Sequence, residues 1–179
     1  INAGAGWVLD GGVHYADMFR YHLGEAYEVY ADVRSFDPQR YQAREEKADP
    51  IRVTTEDSTL AIVKFESGAV VQWSSVRAAP GKGFNQHLIY GEEGSLDYGG
   101  NLTLRGKDAI DVKPDYEKAL SDDDRARLYP GGVTDSIATE LWEFAQSIRD
   151  DSYYPETDGV EGMKAMAICM GVLESAWIN

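Results

Sequence analysis

Two apolar runs in the middle of this chain, Thr59-Leu-Ala-Ile-Val-Lys-Phe65 and Ala69-Val-Val-Gln-Trp-Ser-Ser-Val76, are separated only by the turn residues around Ser67-Gly68. β-Branched and aromatic residues suit pleated backbone, and a short glycine-bearing turn folds the second run back onto the first. The pair predicts an antiparallel hairpin. Further strand signals lie on both sides of it: Tyr27–Val33 before, then Phe84–Tyr90, Ser95–Tyr98, Leu102–Leu104 and Ala109–Val112 after. Gly91-Glu-Glu-Gly94 and Gly106-Lys-Asp108 supply turns between them. Sequential hairpins build a largely antiparallel sheet. The stretch from Ser35 to Asp57 is polar, holds Pro38 and Pro50 and carries the charged run Arg44-Glu-Glu-Lys47, so it reads as a loop or excursion.

Helices are expected at the two ends. Leu9, Val13, Ala16 and Leu23 recur at near-helical spacing over residues 8–23, with Gly24 as the stop. Ile137, Leu141, Phe144 and Ile148 mark one face of an amphipathic helix. After Pro155, Asp158 and Glu161 have capping-box spacing, and Met163, Ala167, Met170, Leu173 and Trp177 form a second apolar stripe, read as core. Strands in the middle, helices at the ends and no βαβ alternation give an α+β class. The expected architecture is a large open, mostly antiparallel sheet with helices on one face, in a single domain over residues 1–179. Such a sheet leaves its other face to be covered, and a second copy in a homodimer or tetramer is the usual cover.

A length of 179 residues is enough to bury a core, and 31 acidic against 17 basic residues leave a net charge of −14. That surface repels phosphate backbones and anionic lipid, so neither nucleic acid nor membrane is expected as a partner. The single cysteine, Cys169, rules out an internal disulfide and a cysteine-based zinc site, and its apolar surroundings predict core packing. No apolar run is long enough to span a bilayer, and a cytoplasmic location is expected. No Gly-x-Gly-x-x-Gly follows a strand, and there is no P-loop and no Gly-x-Ser-x-Gly elbow.

The chemistry-bearing segment is Asp10-Gly-Gly-Val-His14-Tyr-Ala-Asp17. On a helix, Asp10, His14 and Asp17 share one polar ridge. A histidine titrates near neutral pH, and flanking carboxylates can orient it and raise its basicity. Spacing alone leaves three readings open: a solvated face, a metal site, or an acid/base pair. Gly11 and Gly12 weaken a helix by roughly 1 kcal/mol each relative to Ala, which points to a late helix start or to close approach of something to the backbone.

Gly4-Ala-Gly6 and Val8-Leu-Asp-Gly-Gly-Val-His-Tyr-Ala-Asp-Met-Phe-Arg-Tyr-His-Leu-Gly24 together resemble the Asp-x-Gly-x-His-x-x-Asp motif of the glucose-fructose oxidoreductase/inositol dehydrogenase/rhizopine catabolism (Gfo/Idh/MocA) family. Glu56-Asp57-Ser58, Phe65-Glu-Ser-Gly-Ala69, Ile89-Tyr-Gly-Glu-Glu-Gly-Ser-Leu96, Phe144–Ile148, Pro155, Asp158-Gly159 and Ala167–Ala176 follow in the family's order. The resemblance implies a dihydrodipicolinate reductase-like C-terminal domain of an enzyme that uses NAD or NADP and acts on a secondary alcohol or carbonyl of a sugar, cyclitol or related compound. It implies that His14 handles the hydroxyl proton, that Asp10 contacts substrate or orients His14, and that Asp17 is a structural polar partner. Small residues at Gly11 and Gly12 would let cofactor or substrate approach.

The family's nucleotide-binding domain and the strand before its histidine helix are not in this sequence, which begins at Ile1. The expectation is therefore a substrate-binding fragment that by itself neither binds a dinucleotide nor turns over. Lys82 and Phe84, beside Asn85 and Gln86 in an inter-strand loop, are weaker candidates for contacting substrate. His22 and His87 read as structural or surface residues, and Trp73 and Arg77 as part of a face that meets a second subunit. The competing readings are a non-catalytic dimerisation or ligand-sensing module of the same fold, and a metal-dependent enzyme using Asp10, His14 and Asp17.

Overall fold

The computed structural model describes residues 6–43, 48–79, 81, 83, 85–97, 101–108, 110–111 and 120–178. The chain divides into two compact units, Ile1–Gly81 with Thr157–Asn179, and Lys82–Glu156.

The first unit opens with two helical segments, α1 (Trp7–Asp10) and α2 (Gly12–Leu23), interrupted at Gly11. Helical structure starts ahead of the glycines, at Trp7, and the weakness they mark is the interruption at Gly11. Gly24 ends α2 with φ 88°, a conformation that suits glycine, and its N–H donates to the Arg20 carbonyl at 2.9 Å. Strand β1 (Ala26–Arg34) pairs antiparallel with β4 (Ser58–Phe65), which pairs antiparallel with β5 (Val70–Val76), giving the order β1-β4-β5. The β4–β5 ladder closes through Ser67-Gly68 as the sequence predicts, with Gly68 at φ 85°. Between β1 and β4, the polar excursion holds a ladder of its own, β2 (Gln39–Ala43) with β3 (Ala48–Arg52). A two-stranded ribbon need not bury either face, so its strands lack the apolar alternation that marks the others. The C-terminal helix of this unit, α5 (Gly159–Ile178), packs on β1 and on α2.

Alternation along β4 sorts the sheet into two faces. Ala61, Val63 and Phe65 are buried with Ala31 and Trp73 beneath α2 and α5, where Val8, Ala16, Ala165, Ile168, Cys169 and Val172 complete the core. Cys169 is fully buried as expected, and desolvation pushes its thiol up to about 11. The stripe of α5 expected to be core is not the one used: Met163, Met170 and Trp177 are exposed, and the residues on the adjoining face are buried instead. This helix is apolar nearly all round, so periodicity could not choose its inner face. The opposite face of the sheet carries Tyr30 in register with Ile62, and Leu60 two residues before Ile62 and opposite Asp32, and all three apolar side chains are exposed.

Arg20 fastens the far end of α2. Its side chain is 5% exposed and ion-paired with Glu25 at 2.9 Å, at the entry to β1, and with Glu161 at 2.7 Å, in the first turn of α5. Lys164 meets the same two carboxylates at 2.8 and 3.3 Å. The Arg20 guanidinium, followed by Lys164, holds the Glu25 carboxyl down to about 2, and Arg20 likewise lowers Glu161.

The second unit contains the antiparallel sheet β6 (Leu88–Tyr90), β7 (Gly94–Asp97), β8 (Asn101–Leu104) and β9 (Ile110–Asp111), in that order. Of the strand expected over Phe84–Tyr90, the described residues 85–87 are not in a strand and Leu88–Tyr90 are. Helix α3 (Asp122–Leu128), not anticipated, starts at a Ser121 cap whose hydroxyl accepts the Asp124 N–H at 3.0 Å, with Asp122, Asp123 and Asp124 against the positive end of the helix. Helix α4 (Ser136–Arg149) is capped by Asp135 and presents the predicted stripe Ile137, Leu141, Phe144 and Ile148, each exposed. The α+β class with antiparallel pairing holds, with the described strands distributed over three sheets and not one. No described helix is long and apolar enough to cross a membrane.

The ion-pair cluster fixes a pH dependence. Carboxylates held below their ordinary value of 4.5 stabilise the folded state fully above that pH, and the stabilisation is lost as pH falls through the folded value, about 2 for Glu25. Urea midpoints measured from pH 7 to 2 are expected to stay level to about pH 5 and then fall. Arg20→Met is expected to lower the midpoint at pH 7 and to flatten the acid limb.

Candidate active site

The helix bearing Asp10 and His14 begins without a side-chain cap of its own. Gly6 precedes it in extended backbone, and the orphan N–H of Val8 donates instead to Glu56 Oε1 at 2.7 Å, from a residue 48 positions away just ahead of β4. The Glu56 carboxylate occupies the space that a side chain at Gly6 would take. Its neighbour Asp57 is buried and accepts the backbone N–H groups of Phe36 at 2.9 Å and Asp37 at 2.8 Å. The Asp57 carbonyl takes the Arg77 N–H at 2.7 Å. Two adjacent acids therefore tie together the start of the helix, the turn after β1 and the end of β5.

Every fourth residue of the helical segment, Val8, Gly12, Ala16 and Arg20, is buried, and the small ones let the backbone approach the sheet. A Cβ added at Gly12 would lie 2.6 Å from the Trp73 ring, and one at Gly11 would collide with the Trp7 ring. The expected close approach at these glycines is thus made by two indoles of the chain itself. Trp73 is 5% exposed and also packs edge-on against Phe19, with centroids 5.9 Å apart, and at a tilt against Tyr15 at 6.3 Å. Trp73 therefore belongs to the buried face under α2 and not to a face that meets a second subunit. Arg77, four residues on, reaches Trp7, with its guanidinium carbon 3.8 Å from the ring centroid.

With that face turned inward, Asp10 and His14 lie together on the exposed side, one helical turn apart. Asp17 follows half-buried. Among the described residues the side chains of these three form no hydrogen bond or ion pair with another residue. No cluster of His, Cys, Asp or Glu among the described residues is arranged to hold a metal ion. Lys82 and Phe84 lie outside the described residues. His22 is exposed at the end of α2, its ring edge-on to Tyr21, and His87 is half-buried just ahead of β6. The residues that sequence reasoning did not assign to this region are Glu56, Trp7, Trp73 and Arg77. Only Glu56 carried a signal, as part of an ordered segment, because a cap supplied from 48 residues away leaves no local pattern.

A sequence model of the GFO/IDH/MocA C-terminal domain matches residues 2–97. The chain belongs to this family. Comparison with curated proteins gives no match. Among solved structures the GFO/IDH/MocA fold recurs in levoglucosan dehydrogenase in complex with NADH and levoglucosan, with a TM-score of 0.69 and 22% identity over 98% of this chain. It recurs in the WlbA dehydrogenase from Bordetella pertussis in complex with NADH and UDP-GlcNAcA, with a TM-score of 0.61 and 18% identity over 97% of this chain. An oxidoreductase from Agrobacterium radiobacter in complex with NAD+, L-tartaric acid and magnesium gives a TM-score of 0.63 and 18% identity over 94%. The chain spans 49%, 43% and 46% of the length of these three structures.

Gly12→Ala tests the seat of the histidine helix. Moving the Trp73 ring aside costs about 1–3 kcal/mol, and the better helix propensity of alanine returns up to about 1 kcal/mol. A net loss of about 1–2 kcal/mol in urea unfolding is expected, with a changed near-ultraviolet circular dichroism signal from the displaced indole.

Proposed function

We propose that this chain is the substrate-binding part of an NAD(P)-dependent oxidoreductase acting on a secondary alcohol or carbonyl of a sugar or cyclitol, with His14 as its proton-transfer residue. The observation that carries the reading is the pairing of Asp10 and His14 on the exposed side of a helix whose other side is locked to the sheet. The similar structures crystallised with NADH or NAD+ support it at the level of cofactor.

The residues present suit a substrate better than a dinucleotide. The space beside Gly11 and Gly12, which their small size offered to a cofactor, is filled by Trp7 and Trp73. The nucleotide is assigned to a part of the whole protein outside these 179 residues, in keeping with relatives about twice as long. A nicotinamide, when bound, supplies the acceptor or donor of hydride. The proton is the task of this chain. An imidazole nitrogen of His14 takes the proton of the reacting hydroxyl in oxidation and returns it in reduction. Asp10, one turn earlier, accepts a hydrogen bond from a neighbouring substrate hydroxyl or from the imidazole, fixing which ring nitrogen faces the reacting oxygen. Placement on a helix held at Glu56, Gly12 and Arg20 keeps the pair in register with whatever binds there.

The assay is turnover of a polyol panel by the full-length protein with NAD or NADP. His14→Ala is expected to reduce kcat/KM by about 10²–10⁴-fold, and Asp10→Asn by less. The 179-residue chain alone is expected to give no turnover. Unchanged turnover in His14→Ala would remove the histidine from the mechanism.

The sheet face bearing Tyr30, Leu60 and Ile62 is assigned to self-association, as a homodimer or tetramer, because three exposed apolar side chains on one face of an open sheet favour a like surface. Leu60→Glu should lower the mass seen by light scattering to that of a smaller species. A mass unchanged from that of the native protein would place the interface elsewhere.

A further inference from the structure

Among the described residues the region around Asp10 and His14 holds a cation, Arg77, whose guanidinium is positioned by stacking and has its hydrogen-bonding capacity unused. Arg77 is exposed at the end of β5, and its guanidinium lies over the Trp7 ring, 3.8 Å from the centroid. The benzo edge of the same ring fills the space beside Gly11. One indole, that of Trp7, thus contacts both the Arg77 guanidinium and the space beside Gly11. The arginine backbone is held as well, through the Arg77 N–H and the carbonyl of buried Asp57 at 2.7 Å. Among the described residues the guanidinium forms no hydrogen bond and no ion pair, although the chain carries 31 acidic residues.

Stacking restrains a guanidinium without using its N–H groups, which lie in the ring plane and point outward. An arginine so held is suited to take a planar anion by two parallel hydrogen bonds. We infer that Arg77 binds a carboxylate of the substrate, so that the site selects sugar acids over neutral sugars. The surrounding charges make the choice directional. Asp10, and Glu56 where it caps the start of the same helical segment from ahead of β4, repel an anion, and the net charge of −14 repels it at longer range. The carboxylate end of a substrate is thereby directed to Arg77, leaving its hydroxyls toward Asp10 and His14. The inference rests on the assignment of Asp10 and His14 as the substrate face.

The experiment uses the full-length protein and a set of hexuronates, each paired with its neutral hexose. Titration calorimetry is expected to give at least tenfold tighter binding for the acid of some pair, and the same acid is expected to be favoured in kcat/KM. Arg77→Met should abolish the preference in both measurements, while Arg77→Lys, which keeps the charge and loses the planar fork, should retain part of it. His14→Ala should lose turnover and keep the acid preference in binding. An acid preference unchanged in Arg77→Met, or no acid preferred by the native protein, overturns the assignment of Arg77 without touching that of His14. Turnover retained in His14→Ala with acid binding intact overturns the proton-transfer reading and leaves Arg77 in place.

Discussion

Gly12 lies where the ring of Trp73 passes, 2.6 Å from the point at which a Cβ would sit, and the histidine helix can approach the sheet only because no side chain is there. That contact orients the rest of the unit. With Val8, Gly12, Ala16 and Arg20 turned inward, the 100° rotation per residue brings Asp10 and His14 outward together. Trp73, held below the helix by Tyr15 and Phe19, in turn fixes the inner face of β5, and Arg77 continues that face to the rim where it meets Trp7. A two-glycine segment that would be a weak point in an isolated helix is stabilised by aromatic packing that no larger residue would admit.

The two ends of the helical segment are secured by different chemistry. At the start, a carboxylate from before β4 satisfies an orphan N–H, and the hydrogen bond reinforces the packing because Gly6 leaves room for the acid. At the end, the nearly buried Arg20 is ion-paired with two partly exposed acids, although its Nε finds no hydrogen-bond partner among the described residues. That arrangement spares the two carboxylates most of the desolvation that a fully buried pair would meet, while Arg20 bears its own. It also connects α2, β1 and α5 through one side chain. A displacement of any of the three would leave a cation without its partners, which makes their packing cooperative.

Much of this was legible in the sequence because it rests on local pattern. The β4–β5 hairpin follows from alternation and from Ser67-Gly68, the stop of α2 from Gly24, and the burial of Cys169 from its apolar neighbours. What failed to show is non-local or lacks contrast. Helix α5 has apolar residues on nearly every side, so the Met163–Trp177 stripe and the Ile168–Val172 face compete equally until β1 and α2 choose between them. The β2–β3 ribbon leaves no apolar alternation, and Ser121 with three aspartates announced a helix start that polar composition concealed. The candidate site divides the same way. Asp10 and His14 follow from one turn of helix, whereas Glu56, Trp73 and Arg77 reach the helix from across the sheet. The glycines were read for their smallness, correctly, but the occupant of the space is internal.

A held but uncovered pair has a consequence for how chemistry would proceed here. The side chains of Asp10 and His14 are exposed and, among the described residues, make no hydrogen bond or ion pair. In water a proton-transfer group competes with solvent, and electrostatic contacts are weak. The helix supplies position, which is the part of catalysis that an element locked at Glu56, Gly12 and Arg20 can provide without a ligand. It does not supply exclusion of water. That must come from the substrate itself and from the surface that brings the nicotinamide to it. A substrate anchored by its anionic end at Arg77 would contribute to both, since one charge-assisted contact fixes the register of its hydroxyls and its own carbon skeleton displaces water from His14. On this account the domain is a template whose acid/base strength is completed on binding, and a substrate that lacks the anchoring group loses orientation at His14 as well as affinity.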